Sequence, residues 1–282
     1  MEIKHKSAAE EDSAYILVHS DRELRRLQDQ AEIINPITRR ILSAAGIKPG
    51  MRVLDVGCGG GDVTFLVSEM VGRAGHVVGV DRAPAAIAAA ERRLGDHGIK
   101  NVSFRKGDAI ALSFDEPFDA VVGRYVLMFQ ADPAAMLRSV AQHLRPGGIM
   151  AFHEPDWDGC RSNPPAPTYD RCCRWIVDAF HRSGIEANMG NKLDSAFRRA
   201  GLAAPSMHLE SVVGGAKGGP EWGHLMVELI VTMLPEVRSN GGQTAGDVVI
   251  GSMEEHIARE IEDGAVIVGR SEVGAWSRLP KA

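Results

Sequence analysis

Two hydrophobic periodicities alternate along the first half of the chain. Short apolar runs rich in β-branched residues predict strands, and longer segments with apolar residues at helical spacing predict helices. Strands are predicted at residues 52–56, 76–80, 102–105, 118–122 and 149–153, and helices at 62–71, 85–94 and 133–144. Near-continuous apolar strands that alternate with helices are typical of a parallel sheet covered on both faces. We therefore predict a doubly wound α/β fold whose ligand-binding loops follow the strands along one edge.

A helical segment precedes the first strand. The sequence SDRE, which begins at Ser20, fits a capping box, and apolar residues follow it at helical spacing. We expect Pro36 to end this helix, because proline lacks the backbone N–H that a helix needs at that point. A second helix is expected at residues 37–45. Residues 1–45 thus form a predicted N-terminal helical cap.

The pattern changes after Pro155, at the end of a predicted core that spans residues 46–155. Predicted here are a turn-rich segment at 163–167, helices at 172–180, 222–234 and 253–261, strands at 207–213 and 265–268, and a flexible link at 214–220. We expect residues 156–282 to supply the last strands of a sheet of about seven strands and a helical lid over the substrate. The apolar stripe from Trp222 to Leu234 fits either a helix core or the seam of a homodimer.

Composition and charge describe an ordinary globular chain. Apolar residues make up 44% of the 282 residues and charged residues 24%, as in typical soluble domains. The 32 basic and 37 acidic residues give a net charge of −5. Because no basic run is interleaved with aromatic residues, we expect no nucleic-acid partner. We also find no sequence pattern of a signal peptide or a membrane span.

The four cysteines do not follow a metal-binding or disulfide pattern. Only Cys172 and Cys173 are close in sequence, and adjacent cysteines fit neither a zinc-ribbon spacing nor an unstrained disulfide. We therefore expect a reducing, cytoplasmic setting and no metal site.

The segment VLDVGCGGGD at residues 53–62 has the form of a strand that runs into a glycine-rich loop. A dinucleotide fingerprint would need a glycine at position 62, which is an aspartate here. A phosphate-binding P-loop would need a lysine directly after the loop, and the next lysine is Lys100. The alternating glycines instead suit a ligand with an amino-acid end and no pyrophosphate. Gly57 and Gly59 allow the backbone to approach this ligand, and Asp55 can lie near its ammonium group.

Two more carboxylates follow the next strands. Asp81 lies about 20 residues beyond the loop, where nucleoside-binding folds place an acid on the ribose hydroxyls. Asp108 follows the third strand, where its carboxylate and the N–H of Ala109 can bind an adenine edge. Plainer interpretations remain open for both features: the glycine loop fits a tight turn, and Asp81 fits a helix cap.

Taken in order, these elements resemble the class I S-adenosylmethionine-dependent methyltransferases. The resemblance covers residues 46–155 and includes the PFDAVV segment at 117–122 and the LRPGG turn at 144–148. It implies a Rossmann-like fold, S-adenosylmethionine as the cofactor and methyl transfer as the reaction. By the same resemblance, the cofactor is bound by Asp55, Gly57, Cys58, Gly59, Asp81, Arg82, Gly107, Asp108, Ala109 and Arg124. Arg124 would lie near the methionine end, and it fits a pairing with a local carboxylate equally well.

Candidates for the acceptor side lie near the ends of the fourth and fifth strands and in the lid. His153 and Asp156 can take a proton from an aromatic O–H or N–H, and Tyr15 precedes the first helix, in a segment that folds over the cofactor in this family. Aromatic side chains that can line the acceptor are Tyr15, Tyr125, Trp157 and Trp222. Structural roles fit several of them as well: Asp156 as a cap, Trp157 and Trp222 as core residues, and Tyr15 as a surface ring.

The nature of the acceptor is less constrained than that of the cofactor. Methyl transfer needs alignment in a dry pocket, and it needs a base only if the acceptor must lose a proton. The segment after Pro155 implies a closed pocket for a small molecule, and the HEPDW sequence resembles natural-product methyltransferases, among them indole C3-methyltransferases. Alternatives are a quinone- or phenol-type methyltransferase and a non-catalytic S-adenosylmethionine-binding subunit. A nucleotide-dependent oxidoreductase is disfavoured by the aspartate at position 62.

Overall fold

The computed structural model describes residues 21–215, 217, 219–239 and 250–281. The chain divides into two compact units. The larger unit comprises residues 27–159, 187–212 and 270–281, and the smaller unit comprises residues 21–26, 160–186 and the described part of 213–269. The predicted segment boundaries at residues 45 and 155 do not coincide with these units. Two predictions, for Tyr15 and for Ser20, concern positions outside the described residues.

The helices and strands follow the predicted order. The helices are α1 (Asp21–Ala45), α2 (Asp62–Val71), α3 (Pro84–His97), α4 (Pro133–Val140), α5 (Pro167–Arg182), α6 (Met189–Arg199), α7 (Gly219–Ser239) and α8 (Ile250–Glu262). The strands are β1 (Arg52–Val56), β2 (His76–Asp81), β3 (Val102–Lys106), β4 (Phe118–Arg124), β5 (Leu144–Asp156), β6 (Arg161–Asn163), β7 (Ser206–Gly214) and β8 (Val266–Arg278). Of these, α6 and β6 have no predicted counterpart.

The larger unit is built on a mixed sheet. Its strand order is β3-β2-β1-β4-β5-β8, and β7 also pairs with β8. The first five strands are parallel, and β8 runs antiparallel to β5. Val56 at the end of β1 pairs with Val80 on one side and Gly123 on the other, so the carboxyl ends of three strands meet at one edge. The predicted mostly parallel α/β fold is confirmed, and the order reverses between β1 and β4, where such sheets bind ligands.

The core of this unit explains why its strands are apolar nearly throughout. Val53 and Leu54 of β1 point to opposite faces of the sheet, and both are fully buried. Helix α2 covers one face with Val63, Val67 and Val71, which recur at helical spacing and pack in the same cluster as Val53. Because helices cover both faces, neither side of the central strands needs polar residues.

Helix α1 continues through Pro36, so the prediction that this proline ends the helix is wrong. A proline inside a helix costs about 3 kcal/mol, because one backbone hydrogen bond is lost. Ile34 and Ile41, on either side of it, are fully buried, and each such side chain contributes about 1.5–3 kcal/mol when it is buried. Packing on both sides of the proline therefore keeps the helix continuous. As a result, Asn35 and Thr38 lie on the part of α1 that reaches the ligand-binding edge.

Strands β5 and β8 extend beyond their predicted bounds. The LRPGG segment is part of β5, where Gly147 has a left-handed φ of 74° and the pairing with β4 shifts. At its other end β5 continues to Asp156, three residues beyond its predicted end at His153. The last strand, predicted to end at residue 268, continues to Arg278, and its residues 271–278 pair with β5.

The smaller unit contains the predicted lid helices. Helices α5, α7 and α8 pack on one another. Trp222 of α7 donates its indole N–H to the hydroxyl of Tyr169 (3.3 Å), and this hydroxyl donates to the carbonyl of Val268 (2.7 Å). The short strand β6 pairs with the first residues of β8 and is the eighth strand of the sheet. Within the described ranges, no helix is apolar over a length that would cross a membrane.

Candidate functional site

The glycine loop after β1 requires its glycines. Gly57, Gly59 and Gly61 have φ values of 66°, 52° and 91°, which side chains other than glycine adopt only at a cost. The N–H of Cys58 donates to the carbonyl of Val80 (3.0 Å), which fixes the loop to the end of β2. The loop is therefore a left-handed turn held between β1 and β2.

The two sides of this loop differ in the space they leave. A Cβ atom on Gly57 would lie 2.7 Å from Cγ2 of Val126, so this side is closed by the segment after β4. A Cβ atom on Gly59 would meet no described atom within 4 Å. Gly59 therefore presents bare backbone on an open side of the loop, where a ligand can approach closely.

Asp55 lies under the loop at the end of β1. Its Oδ2 accepts the hydroxyl of Thr64 (2.6 Å), whereas its buried Oδ1 has no hydrogen-bond partner among the described residues. Burial raises the pKa of Asp55 to about 7, although Thr64 and Arg124 act in the opposite direction. A buried carboxylate oxygen without a donor is unusual in a folded protein, and it points to a missing donor.

Asp81, at the end of β2, connects the glycine loop to helix α3. Its Oδ2 accepts the N–H of Gly59 and its Oδ1 accepts the N–H of Ala83, both at 2.9 Å. The carboxylate thus fixes the loop and Ala83, the N-cap residue of α3, and among the described residues this helix has no side-chain cap hydrogen bond. Each oxygen keeps a second lone pair for a further donor. Next to it, Arg82 lies 4.0 Å from Oδ2 of Asp108 across the mouth of the two loops.

The loop after β3 is held by its own backbone. Oδ1 of Asp108 accepts the N–H of Ile110 (3.0 Å), and the N–H of Gly107 donates to the carbonyl of Asp81 (2.9 Å). Ala109 is buried, and its carbonyl lies 2.8 Å from Nε2 of His143. The loops after β1, β2 and β3 therefore meet, as the sequence predicts from the strand order. We call Asp55, Gly57, Gly59, Asp81 and Asp108 the glycine edge.

Arg124, the last residue of β4, is half-buried and points toward α1. Its Nη1 donates to Oδ1 of Asn35 (2.8 Å) and to Oγ1 of Thr38 (3.0 Å). Both acceptors are neutral, and within the described chain Arg124 forms no ion pair with a carboxylate. Its charge is thus available to an anionic group of a ligand.

Glu272 of β8 is the centre of a second polar group. Oε2 accepts the hydroxyl of Tyr125 (2.6 Å) and Nε2–H of His153 (2.9 Å), and Oε1 accepts Nε–H of Arg270 (2.9 Å). Burial alone would raise the pKa of Glu272, but Arg270, His153 and Tyr125 hold it below its ordinary value. Glu272 is therefore a buried, ionised acceptor of three hydrogen bonds. We call these four residues the β8 cluster.

The partners of His153 determine its protonation state. A carboxylate only accepts, so the ring proton lies on Nε2, toward Glu272. Nδ1 lies 3.1 Å from Oγ1 of Thr38, whose single hydroxyl proton can go to this nitrogen or to the carbonyl of Ile34, 3.2 Å away. Burial lowers the pKa of His153, despite its contact with Glu272, so the ring is neutral near pH 7. With 1% of its surface exposed and both nitrogens engaged, His153 acts on its surroundings through Glu272 and Thr38.

Tyr125 has the unusual backbone of the cluster. Its φ of 56° makes it the one residue other than glycine with a positive φ in the described chain, a conformation that costs of order 1–3 kcal/mol and persists where the surroundings impose it. Its N–H donates to the carbonyl of His153 (2.9 Å), and its hydroxyl also accepts Nη2–H of Arg270 (2.9 Å). The residue as a whole is partly exposed. The strain thus holds a tyrosine hydroxyl between a buried carboxylate and a buried guanidinium.

Glu154 anchors the segment that follows Tyr125. Its Oε1 accepts the N–H groups of Val126 (2.9 Å) and Leu127 (2.8 Å), and its Oε2 accepts that of Met128 (3.3 Å). Burial raises the pKa of Glu154 to about 7, although the three N–H groups lower it. This carboxylate sets the position of Val126, which packs against Gly57, and so links the two polar groups.

A comparison with known families shows to which protein family the chain belongs. The profile of a family described as "methyltransferase domain" matches residues 47–201, more than half of the chain. The chain belongs to this methyltransferase family. The matched residues include the whole glycine edge, Tyr125 and His153 of the β8 cluster, and Glu154, but not β8.

The curated relatives align with only part of this chain. Aklanonic acid methyltransferase of Streptomyces sp. (strain C5) is 37% identical over 125 residues, which cover 44% of this chain and 57% of the relative. Demethylmenaquinone methyltransferase of Lactococcus lactis is 34% identical over 131 residues, 46% of this chain and 50% of the relative. The chain spans about half the length of these curated relatives.

Solved structures resemble the fold over a larger part of this chain. The YcgJ protein of Bacillus subtilis has a TM-score of 0.57 at 17% identity and covers 89% of this chain and all of its own. A phosphoethanolamine N-methyltransferase of Haemonchus contortus, crystallised with S-adenosylhomocysteine, has a TM-score of 0.53 at 15% identity and covers 86% of this chain and 52% of its own. At such identities the likeness concerns the fold alone.

The remaining predicted site residues, Asp156, Trp157 and Trp222, are all buried but belong to different units of the chain. Asp156, the last residue of β5, is buried and packs against the start of α6. A Cβ atom on Gly190 of that helix would lie 3.2 Å from the Cβ of Asp156. Burial raises the pKa of Asp156, although hydrogen bonds from Asn191 lower it. Trp157 is buried, and the Arg270 guanidinium lies 5.1 Å from its ring centroid. Trp222, by contrast, belongs to the smaller unit, where its ring packs against Gly269.

Arg270 and Glu272 are the residues that the sequence analysis missed. They lie two positions apart on one face of β8, in the sequence GRSEVGAW. The predicted strand ended at residue 268, because a charged pair interrupts the apolar run. A signal was present: the apolar residues resume directly afterwards, and charged residues inside a strand that is otherwise buried indicate a paired, functional position.

Proposed function

We propose that this protein transfers the methyl group of S-adenosylmethionine to a small aromatic acceptor. The observation that carries the proposal is the buried Oδ1 of Asp55, which lacks a hydrogen-bond donor among the described residues. It lies under the left-handed glycine loop of a chain from the methyltransferase family. The ammonium group of the cofactor is a donor of the right charge for this oxygen.

The other residues of the glycine edge fit the rest of the cofactor. The open side of Gly59 admits the ligand next to the backbone, and the unused lone pairs of Asp81 suit two ribose hydroxyls. Asp108 and the N–H of Ala109 suit an adenine edge. Among the described residues the hydrogen-bond partners of Arg124 are neutral, so it can bind the carboxylate of the methionine part. Cys58, Arg82 and Gly107 complete the loops that hold these groups.

The chemistry follows from these assignments. The cofactor supplies an electrophilic methyl group on a sulfonium. The chain's own residues bind both reactants, align them for an in-line displacement and exclude water, which together can lower the barrier by several kcal/mol. Where the acceptor must lose a proton, the candidates remain His153, Asp156 and Tyr15. His153 is enclosed by its partners, so in this proposal it positions a neighbouring group.

For the acceptor we propose an indole-like or other secondary-metabolite ring, bound against Tyr125 and Trp157, with Trp222 and Tyr15 as further candidates. A quinone- or phenol-type ring is the alternative, and it is favoured by relatives named for demethylmenaquinone and 2-phytyl-1,4-naphthoquinone. A non-catalytic subunit that only binds the cofactor is the second alternative. We also propose that the protein functions in the cytoplasm, as a monomer or a homodimer.

The test begins with the cofactor. We expect calorimetry to show binding of S-adenosylhomocysteine and none of NAD, and we expect Asp55→Ala to weaken that binding about 10- to 100-fold, because a charge-assisted hydrogen bond is lost. Asp119→Ala is the matched control: this aspartate lies in a strand of the same sheet, but it accepts the backbone N–H of Arg52 at the opposite end of the strands. Equal losses in both variants would contradict the assignment of Asp55.

The second step identifies the acceptor. Indoles, phenols and hydroquinones are incubated with labelled S-adenosylmethionine, and the labelled product is analysed for the methylated atom. Label in indole C3 supports the narrower proposal, and label in a phenolic oxygen or quinol carbon supports the alternative. Tight binding of S-adenosylhomocysteine without transfer to any acceptor would favour the non-catalytic subunit.

A further inference from the structure

Tyr125 connects the two polar groups of the larger unit. It stands between Arg124 and Val126, and Val126 packs against the glycine loop at Gly57. Tyr125 as a whole residue is partly exposed, whereas its hydroxyl partners Glu272 and Arg270 are 0% and 4% exposed. A partly exposed residue in strained backbone thus places its hydroxyl on a buried ion pair. Because the strain must be imposed by the surroundings, its position beside the glycine loop suggests a function.

The buried pair itself is poorly explained by stability. Removing two charges from water is costly, and a buried ion pair is often no more stabilising than apolar residues of the same volume. Here both charges lie on one face of β8, two residues apart, and both are bonded to the same tyrosine hydroxyl. The arrangement orients this hydroxyl: it accepts from Arg270 and donates to Glu272. One lone pair of the oxygen remains for a further donor.

We propose that Tyr125 receives the proton of the acceptor during methyl transfer and passes its own hydroxyl proton to Glu272. This inference deepens the proposed function and rests on it. Tyr125 is the catalytic residue, because it would touch the acceptor. Glu272 accepts the proton through Tyr125, and Arg270 and His153 position Glu272.

The step balances in atoms and electrons. The acceptor atom forms a bond to the methyl carbon, the bond from that carbon to sulfur breaks, and its electron pair stays on sulfur. The proton on the acceptor atom, or on a ring nitrogen conjugated with it, moves to the phenolic oxygen of Tyr125. At the same time the hydroxyl proton of Tyr125 moves to Oε2 of Glu272, which lies 2.6 Å from the phenolic oxygen. After the product leaves, the two protons move in reverse and one is lost to water.

The surroundings favour this relay over a free tyrosinate. Burial raises the pKa of Tyr125, despite the nearby arginines, so the tyrosine is neutral before the reaction. A direct base would need an exposed lone pair, and the carboxylate and the imidazole are both enclosed. The charged groups that face Tyr125 are Arg124, Arg270 and Glu272, and of these three Glu272 is the one that can accept a proton.

The test varies the acidity of the acceptor. Single-turnover rates are measured with a series of ring-substituted acceptors, from ones that hold their proton at the assay pH to ones already ionised. We expect Tyr125→Phe and Glu272→Gln to reduce the rate about 100- to 1,000-fold for the protonated acceptors. For ionised acceptors the rates should stay within about 3-fold of the unmodified protein, because no proton has to be moved.

Controls separate this role from a structural one. Tyr169→Phe removes the other described tyrosine hydroxyl, which binds the carbonyl of Val268, and Glu210→Gln removes the charge of a glutamate paired with Arg40. Neither should change the ratio of rates between protonated and ionised acceptors. Equal losses of Tyr125→Phe on both kinds of acceptor, or no loss on either, would overturn the relay. If the unmodified protein fails to bind S-adenosylhomocysteine, the proposed function itself falls, which this result distinguishes from failure of the relay.

Discussion

The glycine edge and the β8 cluster lie on the same sheet but are assembled in different ways. At the glycine edge, carboxylates accept hydrogen bonds from nearby backbone and from one hydroxyl, as Asp81 does from Gly59 and Ala83. In the β8 cluster, all side-chain bonds except that between Arg270 and Glu272 join residues that are 119 to 147 positions apart in sequence. A local motif therefore specifies the first group, whereas the second exists only once the last strand has paired with β5.

The largest expected effect comes from breaking the buried pair of the β8 cluster. Arg270→Met or Glu272→Leu should each lower the free energy of unfolding by about 3–5 kcal/mol, because the partner charge stays buried without compensation. The double variant should lose clearly less than the sum, since no lone charge remains. Urea denaturation of the three variants measures this. Additive losses would show that the two charges are not coupled and would remove the contrast with the glycine edge.

The same contrast explains what the sequence predicts and what it does not. The glycine loop, Asp81 and Asp108 could be located from the sequence because each follows directly from a strand and a turn with a known spacing. Arg270, Glu272 and the role of Thr38 could not, because their contacts depend on the antiparallel pairing of β8 and on a helix that continues through Pro36. Sequence periodicity carries no information on which distant side chains will meet.

Two glycines of the loop provide the next test, because they face different surroundings. Gly57→Ala should destabilise the fold by about 2–4 kcal/mol, since a left-handed alanine costs about 1–2 kcal/mol and the contact with Val126 adds overpacking. Gly59→Ala should lower the stability only by the conformational part, about 1–2 kcal/mol. It should nevertheless weaken S-adenosylhomocysteine binding more than tenfold, because the alanine side chain enters the open side of the loop. Thermal denaturation and calorimetry on both variants separate these effects. Equal affinity losses would contradict the assignment of the open side.

The protonation of Asp55 offers a smaller effect at the glycine edge. Its pKa of about 7 lies above the ordinary value, so its contribution to stability is present at low pH and is lost as the pH rises through about 7. The affinity for a ligand whose ammonium group binds Asp55 depends on pH in the opposite direction, because this contact requires the ionised carboxylate. We therefore expect the dissociation constant of S-adenosylhomocysteine to rise about tenfold per pH unit below pH 7. Asp55→Asn should flatten this dependence, and an unchanged slope in that variant would assign it to another group.

The smallest effect is expected at a second arginine–glutamate pair, which differs from the β8 cluster chiefly in exposure. Arg40 of α1 binds both oxygens of Glu210 on β7 (2.6–3.1 Å), but the Arg40 side chain is 55% exposed. Arg40 holds the pKa of Glu210 at about 2 despite some burial, so any stabilisation is present above the ordinary value near 4.5 and is lost as the pH falls toward 2.

Solvent screening limits this second pair to about 0–1 kcal/mol. Glu210→Gln should therefore change the free energy of unfolding by no more than that at pH 7, and 1 M salt should remove most of the difference. The same substitution at Glu272 should be several times more costly and nearly independent of salt. Urea denaturation of both variants at low and high salt makes the comparison. If Glu210→Gln were as costly as Glu272→Gln, burial would not be what makes the β8 cluster distinctive, and the case for its functional role would lose its physical basis.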